Sequence, residues 1–350
     1  MSEQSNSVGG DAEAVATTTE PISPRETKGM RGMPAAFGRS IGLVIALLVL
    51  VAVGWATAGS NFMSLDNMLV ILRLASVIGV VAIGMTFVIT AGGIDLSVGS
   101  VLGLASVVAS LGAIQTASEG FWPLMVFAGI ATGVIAGLMN GMIIAYGKVV
   151  AFIATLAMLV AARGAAELIS QRQSQVVVNQ GFKSFFRQEP LGISLVIWIF
   201  AIVAIVGWFL LNRTTFGRRT VAIGGNATAA RLAGVKVKRH TVYLYMLSGA
   251  AAGIAATMLL SRTTAGISTH GGLYELDAIA AVVVGGTLLI GGRGTIGGTV
   301  LGVLLFSTLT NVFVQNDLST SVQLVAKGVI IVVAVMLQQR FASREGVTST

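Results

Sequence analysis

The sequence predicts an all-α polytopic membrane protein with about ten transmembrane segments, broken or re-entrant Gly-rich turns and both termini in the cytoplasm. Three observations lead to this prediction: the composition, the long apolar segments and the placement of the few charged residues. Hydrophobic residues make up 55% of the 350 residues and charged residues only 10%, with a mean hydropathy of +0.88. Because a soluble domain is about one quarter charged, this composition cannot supply a water-facing surface.

Each predicted transmembrane segment is close to the ~20 apolar residues that a helix needs to cross a bilayer. Strong apolar segments cover residues 41–59, 68–90, 98–117, 122–145, 149–170, 191–211, 241–261, 294–314 and 322–338. A shorter apolar stretch, residues 278–290, either spans the membrane or re-enters it. It is included as a further segment because an even number of crossings leaves the flanking charges on consistent sides.

Two polar tails flank the transmembrane domain, which covers residues 41–338. Residues 1–40 are rich in Ser, Thr, Gly and Pro, and they predict a disordered cytoplasmic N-terminal tail. This tail is too polar for a secretory signal, which needs an apolar core. Residues 339–350 predict a second cytoplasmic tail.

Lys and Arg residues set the predicted orientation, because they are enriched in cytoplasmic loops. Residues 212–240 contain no acid and carry Arg213, Arg218, Arg219, Arg231, Lys236, Lys238 and Arg239. The topology puts this loop on the same side as the basic N-terminal tail, while the opposite face holds Asp66, Glu119, Glu189, Glu275, Asp277 and Asp317. Exceptions are Arg172, Lys183, Arg187 and Arg262. The net charge of +8 therefore indicates anionic membrane lipids as partners rather than nucleic acid.

Several classes of chemistry are excluded by composition and motif. The chain has no Cys, which excludes disulfides, thiolate metal sites and a cysteine nucleophile. Its two His residues, His240 and His270, are too far apart in the sequence to favour a metal site. It has no G-x-x-x-x-G-K-[S/T] phosphate loop, so it is not expected to hydrolyse ATP. We therefore expect a protein that is not an enzyme, with no catalytic residue, no metal and no cofactor of its own.

Two Gly-rich stretches, Thr90–Ser100 (TAGGIDLSVGS) and Leu289–Thr299 (LIGGRGTIGGT), predict breaks between apolar helices. Irregular backbone at membrane depth must be buried in protein or line a wet cavity, and transporters commonly contain such breaks. The first stretch contains a single acid, Asp95. A cap or turn role is favoured for Asp95, beside the helix that begins near Ser97. The alternative is a ligand for a proton or an ion.

Other polar residues in apolar segments are candidates for pathway or structural roles. Arg163 and Glu167 are four residues apart, which favours an ion pair on one helix face over contact with a passing substrate. Asn140 is expected to bond across to another helix. Glu275 and Asp277 precede an apolar segment, where negative charge stabilises a helix N-terminus.

The basic loop 212–240 contains a predicted short amphipathic helix at Asn226–Leu232. Asn226 or Thr228 is expected to cap it, and Gly234 to end it. One interpretation is a helix that lies on anionic lipid. The other is a docking element for a cytoplasmic partner, which we favour because its apolar face is made mostly of small side chains, Ala229 and Ala230 among them.

Five stretches follow one another in an order that is specific at the family level. They are GGIDLSVGS (Gly92–Ser100), NG followed by AFIATLAMLVAARG (Asn140–Gly141 and Ala151–Gly164), TTFGRRTVAIGGNATAARLAGVKV (Thr214–Val237), YELDAIAAVVVGGT (Tyr274–Thr287) and GGRGTIGGTVLG (Gly291–Gly302). Together they resemble the permease subunits of bacterial ribose-type ABC importers, a family with members for ribose, xylose, arabinose, galactose and autoinducer-2. The resemblance covers most of residues 40–340 and does not identify the sugar. The N-terminal tail is longer than this family leads us to expect.

The resemblance implies the other parts of an importer in the bacterial inner membrane. An extracytoplasmic sugar-binding protein would deliver the sugar, and a second permease copy, identical or a sister chain, would complete the pathway. A separate cytoplasmic ATPase subunit would bind ATP and drive transport. The stretch Gly224–Val235 corresponds to the cytoplasmic coupling helix that docks into this ATPase. The docking residues implied are Gly224, Gly225, Asn226, Ala229, Ala230, Arg231, Leu232 and Gly234.

Two other functions compete with this interpretation. A secondary transporter driven by protons or sodium would use Asp95 as its ion site. A membrane-embedded enzyme is the weakest alternative, because acids and His are scarce and scattered.

Overall fold

The structure, a computed structural model, describes residues 35–344, and the predicted disorder of the N-terminal tail falls almost entirely outside this range. Helices make up nearly all of its regular structure, which confirms the predicted all-α class. In chain order they are α1 (Ala35–Ala58), α2 (Leu65–Thr90), α3 (Val98–Ser110), α4 (Gly112–Ala117), α5 (Pro123–Ala145), α6 (Ala151–Ser170), α7 (Gln180–Phe186), α8 (Leu195–Arg213), α9 (Thr215–Gly225), α10 (Ala227–Leu232), α11 (Val237–Thr263), α12 (Tyr274–Val284), α13 (Ile296–Gln315) and α14 (Thr320–Arg344). The strands β1 (Gln175–Val176) and β2 (Ala265–Gly266) form one antiparallel pair.

Within the described residues, 7 helices are long and apolar enough to cross a membrane. They cover Ile41–Asn61, Leu65–Thr90, Pro123–Ala145, Ala151–Ser170, Leu195–Arg213, Val237–Thr263 and Ile296–Gln315. Large apolar side chains are exposed along several of them, for example Ile45 on α1, Phe127 on α5 and Ile205 on α8. A surface of this kind is stable in lipid and not in water, and the prediction of a polytopic membrane protein is confirmed.

Helix α3 is shorter than the predicted segment 98–117, which was wrong as a continuous helix. The chain leaves helical geometry at Leu111, where φ is −56° and ψ is 140°, and α4 is a separate helix of 6 residues. The 13 residues of α3 give a length of about 20 Å. This is less than the ~30 Å of the hydrocarbon layer, so irregular chain must cover the remaining depth.

The short apolar stretch 278–290 belongs to an interrupted crossing. Helix α12 has 11 residues and is therefore only about 16 Å long. Before it, Gly266 packs against Ser110 at the far end of α3. After it, the Gly292 N–H donates to the Thr90 carbonyl, 2.9 Å away, at the opposite end of the bundle. The chain thus passes from one end to the other between Gly266 and Gly292, which resolves the choice between spanning and re-entry in favour of an interrupted span.

Helices α5 and α11 form a close backbone-to-backbone contact in the bundle. A Cβ atom added to Gly133 would overlap the Gly249 carbonyl, and one added to Gly137 would overlap the Tyr245 carbonyl. A Cβ at Gly253 would lie 2.6 Å from the Gly129 carbonyl oxygen. In lipid, where helix association depends on van der Waals packing, small residues at four-residue spacing allow this approach. The pair forms one wall of the space that α3 occupies.

The predicted topology can be tested by cysteine labelling, because the native chain has no Cys. Gln180, at the start of α7, and Thr228, in α10, are both exposed, so a thiol at either position is accessible from its own side. We expect a Cys at position 180 to react with an impermeant maleimide in intact cells, and a Cys at position 228 to react only after permeabilisation. Labelling of position 228 in intact cells would contradict the orientation.

Candidate functional site

The loop between α8 and α11 folds into two short capped helices. Thr214 caps α9 by accepting a hydrogen bond from the Gly217 N–H, at 3.3 Å. Asn226 caps α10, and its Oδ1 accepts from the Ala229 N–H at 2.9 Å. The predicted Asn226 cap is confirmed, and Thr228 lies inside the helix. Gly234 follows with a φ of +85°, a left-handed conformation that favours Gly at the end of a helix.

Helix α10 presents only part of its predicted docking face to its surroundings. Ala229 and Arg231 are exposed, and Leu232 is 85% exposed, which is unusual for a large apolar side chain. Ala230, expected to belong to the same face, is instead 6% exposed and turned towards the protein. An uncovered Leu beside an Arg is compatible with both interpretations of this helix, contact with a protein and contact with anionic lipid.

The end of α9 contacts both breaks in the transmembrane helices through backbone atoms. A Cβ atom at Gly224 would overlap the Thr90 carbonyl at the end of α2 and the Gly292 N–H in the second break. Gly291 packs on Gly92, where an added Cβ would lie 2.8 Å from the Gly92 nitrogen. Gly92, Gly291 and Gly292 all have positive φ. We call this contact of Gly92, Gly224, Gly291 and Gly292 with Thr90 the glycine junction.

Gly225, the next residue after Gly224, touches the junction only through its backbone, since a Cβ atom added to Gly292 would lie 3.1 Å from the Gly225 Cα. A Cβ atom added to Gly225 would have no neighbour within 4 Å. Gly224 and Gly225 therefore have different surroundings, although both belong to the predicted docking segment. Gly224 faces inward, towards the helix breaks, whereas Gly225 is exposed.

Asp95 lies in the first break and is 1% exposed, so it is buried rather than solvated. Its Oδ1 accepts from the Ser97 N–H at 3.0 Å and from the Ser97 hydroxyl at 2.6 Å. Its Oδ2 accepts from the Ser248 hydroxyl of α11 at 2.8 Å. Asn140 of α5 donates to the Ser97 hydroxyl oxygen at 2.9 Å. The carboxylate thus closes the turn before α3 and joins three helices, which agrees with the predicted turn role and with the predicted cross-helix bond of Asn140.

Arg163 on α6 holds the irregular chain before α12. Its guanidinium donates to the carbonyls of Ser268 and His270, the latter at 3.0 Å. The predicted ion pair with Glu167 is wrong, because Glu167 accepts from Arg172 at 3.0 Å instead. Main-chain carbonyls that approach α6 from another segment compete successfully for the guanidinium, an arrangement that spacing along one helix cannot reveal.

The two acids of α12 have separate surroundings. Both lie in its first turn, as predicted. Asp277 pairs with Lys327 of α14 at 3.0 Å, with both side chains 16% exposed. Glu275 is buried rather than at an outer surface, next to Gly99 at the start of α3, and its Oε2 has no hydrogen-bond partner among the described residues. The Oδ1 of Asn140 is a second buried acceptor without a partner there.

The structure therefore brings Asp95 and Asn140 together, places Glu275 beside Gly99 at the start of α3 and places Arg163 one turn farther along, beside Gly103, while Asp277 lies apart. Thr90, Ser97, Ser248 and Gly292 complete the site and were not predicted as site residues, although three of them lie in the predicted breaks. Ser and Thr are common in apolar segments, so only their long-range partners identify them. Within residues 35–344, no group of three or more His, Cys, Asp or Glu residues could hold a metal ion.

The role of Asp95 can be tested by separating its charge from its hydrogen bonds. In Asp95→Asn, the amide oxygen still accepts from Ser97 and the amide N–H₂ can donate to Ser248. In Asp95→Leu, the buried donors lose their acceptor, at a cost of roughly 1–3 kcal/mol each. We expect substrate uptake to be largely retained with Asn and lost with Leu, measured at matched membrane levels. Equal loss in both variants would show that the charge is required and would favour an ion-coupled transporter.

Comparison with known proteins agrees with this architecture. Residues 67–335 match a family model described as branched-chain amino acid transport system / permease component. The chain is 40% identical to the ribose import permease protein RbsC of Bacillus subtilis, over 88% of this chain and 94% of that protein. It is 37% identical to the L-arabinose transport system permease protein AraH of Escherichia coli, over 87% and 92%. It is 32% identical to the xylose transport system permease protein XylH of Haemophilus influenzae, over 84% and 94%.

No solved structure matches the chain significantly. The family match covers more than half of the chain, and the similarity to the relatives runs nearly end to end, so the resemblance predicted from the five motifs is confirmed. The apolar helices and these relatives make the protein a multi-pass protein of the bacterial inner membrane. The chain belongs to the family of transport-system permease components that the matching family model describes and that its relatives for ribose, arabinose and xylose resemble.

Proposed function

We propose that this chain is the membrane-spanning permease subunit of a binding-protein-dependent ABC importer for a ribose-type monosaccharide. The observation that carries the proposal is the 40% identity to a ribose import permease over 88% of this chain. Relatives named for arabinose and xylose widen the substrate class to related monosaccharides. A neutral polyol needs hydrogen-bonding groups and no fixed charge, which suits a bundle whose interior polar groups are mainly Ser, Thr and Asn.

The proposal requires a separate ATPase subunit on the predicted cytoplasmic side, which would bind ATP as the only cofactor of the assembly. Helix α10 is the proposed contact, with Ala229, Arg231 and Leu232 exposed for it. A sugar-binding protein would dock on the opposite face, and a second permease copy would complete the pathway. The exposure of α10 and the basic, acid-free character of its loop support a contact with a cytoplasmic subunit.

The glycine junction suggests how movement of the ATPase would reach the membrane interior. α10 follows α9 directly through Asn226, and α9 ends on Thr90 and Gly292. These contacts are between backbones, with no flexible side chain to absorb a displacement. A shift of α10 would therefore move the end of α2 and the second break together, and the Asp95 network begins five residues beyond Thr90.

Docking and transmission can be tested separately with two variants. Ala229→Trp adds a large side chain to the exposed face of α10, so we expect it to reduce co-purification of the ATPase. Gly224→Ala forces a Cβ into the Thr90 carbonyl, so we expect it to keep the ATPase but to lose most of the ATPase stimulation by sugar-loaded binding protein. Overpacking of this kind costs ~1–3 kcal/mol.

Two matched controls accompany these variants. Gly225→Ala changes the neighbouring Gly, where an added Cβ atom would have open space, and should behave as wild type. Ala117→Trp places the same large side chain on an exposed Ala at the opposite end of the bundle, in the other six-residue helix α4. Normal ATPase assembly with Ala229→Trp would favour the alternative in which α10 lies on lipid, where Trp is tolerated.

The substrate class can be tested by deleting the gene in its native bacterium and measuring uptake of labelled ribose, arabinose, xylose and leucine. We expect uptake of one of the sugars to fall to background and to return when the gene is restored. Leucine is included because the family model is named for branched-chain amino acid transport. Loss of leucine uptake alone, or sugar uptake that stops with an uncoupler while ATP is maintained, would contradict the proposal.

A further inference from the structure

A basic cavity lies where α9 meets the beginning of α11, at the end of the bundle predicted to be cytoplasmic. It has a volume of about 470 Å³, and its rim carries Arg219, Lys236 and Arg239. All three cations are exposed. No Asp or Glu occurs between Glu189 and Glu275, so these elements supply no acid to neutralise the cavity. Its chemistry is that of a site for a phosphate-bearing anion.

An apolar groove lies farther along α11, at membrane depth. Its volume is about 160 Å³, and only apolar side chains and Gly from α2, α8 and α11 line it. Val206 of α8 is 50% exposed at its edge and Ile202 is 58% exposed, so the groove opens towards lipid. Large aliphatic side chains on this edge suit contact with acyl chains, while small residues would favour a helix of a second copy.

The cavity and the groove are neighbours along α11. Tyr243 lines the basic cavity, and Leu247, one turn later, lines the groove. Four residues along a helix correspond to about 6 Å. On the other side, Phe216 of the cavity wall contacts Phe87 of the groove wall, with ring centroids 6.0 Å apart.

The position of this composite site matches the interface of a membrane. Nearby, the Arg213 guanidinium lies 5.4 Å from the ring centre of Trp208, close to the end of α8. Trp and Tyr beside Arg and Lys are typical of the boundary between hydrocarbon and headgroups. A basic cavity at this depth, followed by an apolar groove, has the order of an anionic phospholipid: headgroup first, acyl chain second.

We propose that this site binds one anionic phospholipid of the cytoplasmic leaflet, with its phosphate in the basic cavity and an acyl chain in the groove. Diffuse attraction of basic loops to an anionic membrane would need neither a shaped cavity nor an adjoining groove. The lipid would contact both α9 and α11, so it would brace the loop that carries α10 against the bundle.

The test uses full-length permease and native mass spectrometry with dioleoylphosphatidylglycerol. The site variant combines Arg219→Gln, Lys236→Gln and Arg239→Gln. The matched control combines Arg213→Gln, Arg218→Gln and Lys238→Gln, which removes the same number of Arg and Lys residues from the same loop without touching the cavity lining. Because the three cations attract the lipid phosphate, we expect the site variant to weaken lipid retention at least about tenfold and the control to weaken it much less.

The acyl arm is tested with Ala250→Phe, which fills the groove, against Ala161→Phe on the exposed face of α6. We expect only the first to reduce retention, and we expect dioleoylphosphatidylcholine and glycerol phosphate to compete poorly. The proposal would be overturned by equal loss of lipid in both triple variants or by no effect of Ala250→Phe. It would also be overturned if glycerol phosphate displaced the lipid, or if the ATPase subunit bound the same three cations and released the lipid. Size-exclusion profiles of all variants separate loss of binding from loss of fold.

Discussion

The structure depends on one constraint, which is that every main-chain polar group at membrane depth needs a partner inside the protein. Two apolar segments break, and each break exposes N–H and carbonyl groups that an unbroken helix would satisfy. The first break ends on Asp95, whose carboxylate accepts from the N–H and hydroxyl of Ser97. The second is tied to α2 by the bond from Gly292 to the Thr90 carbonyl. Each break is therefore stable only because other helices stand beside it.

This constraint explains where the polar residues of an apolar chain are found. Asn140 and Ser248 lie on α5 and α11, and both reach the turn around Asp95. Arg163 on α6 donates to the carbonyls of Ser268 and His270, which precede α12. In each case a side chain on a continuous helix forms a hydrogen bond with irregular chain that lies next to a short helix. Long helices supply the frame, while α3 and α12 are the interrupted elements that the frame holds.

Local features of the chain could be predicted from sequence, because their causes are local. The Asn226 cap depends on residues three apart, and the Gly-rich breaks depend on residues that cannot continue a helix. Contacts between distant segments could not be predicted. Spacing placed Arg163 beside Glu167, whereas the guanidinium binds carbonyls more than a hundred residues away.

Hydropathy alone also has a limit in this chain. It measures how apolar a stretch is and not where a helix stops, so it predicts a continuous helix over 98–117 although Leu111 leaves helical geometry. The same limit applies to 278–290, where the crossing is made by α12 together with irregular chain on both sides. The inward orientation of Ala230 depends on how α10 packs, which the pattern of the loop does not determine.

The glycine junction makes the fold suitable for transmitting a movement rather than absorbing it. Side chains that meet across an interface can change rotamer when one helix shifts, and they then absorb the shift. Where no side chain can adjust, close-packed segments move together. At Gly224 the contacting groups are the Thr90 carbonyl and the Gly292 N–H, so main chain meets main chain. Since α9 is joined to α10 through Asn226 alone, the exposed loop and the interior breaks are separated by one short helix. The contact therefore lies at the two points where the helices are already interrupted, and there the chain can bend without the loss of further helical hydrogen bonds.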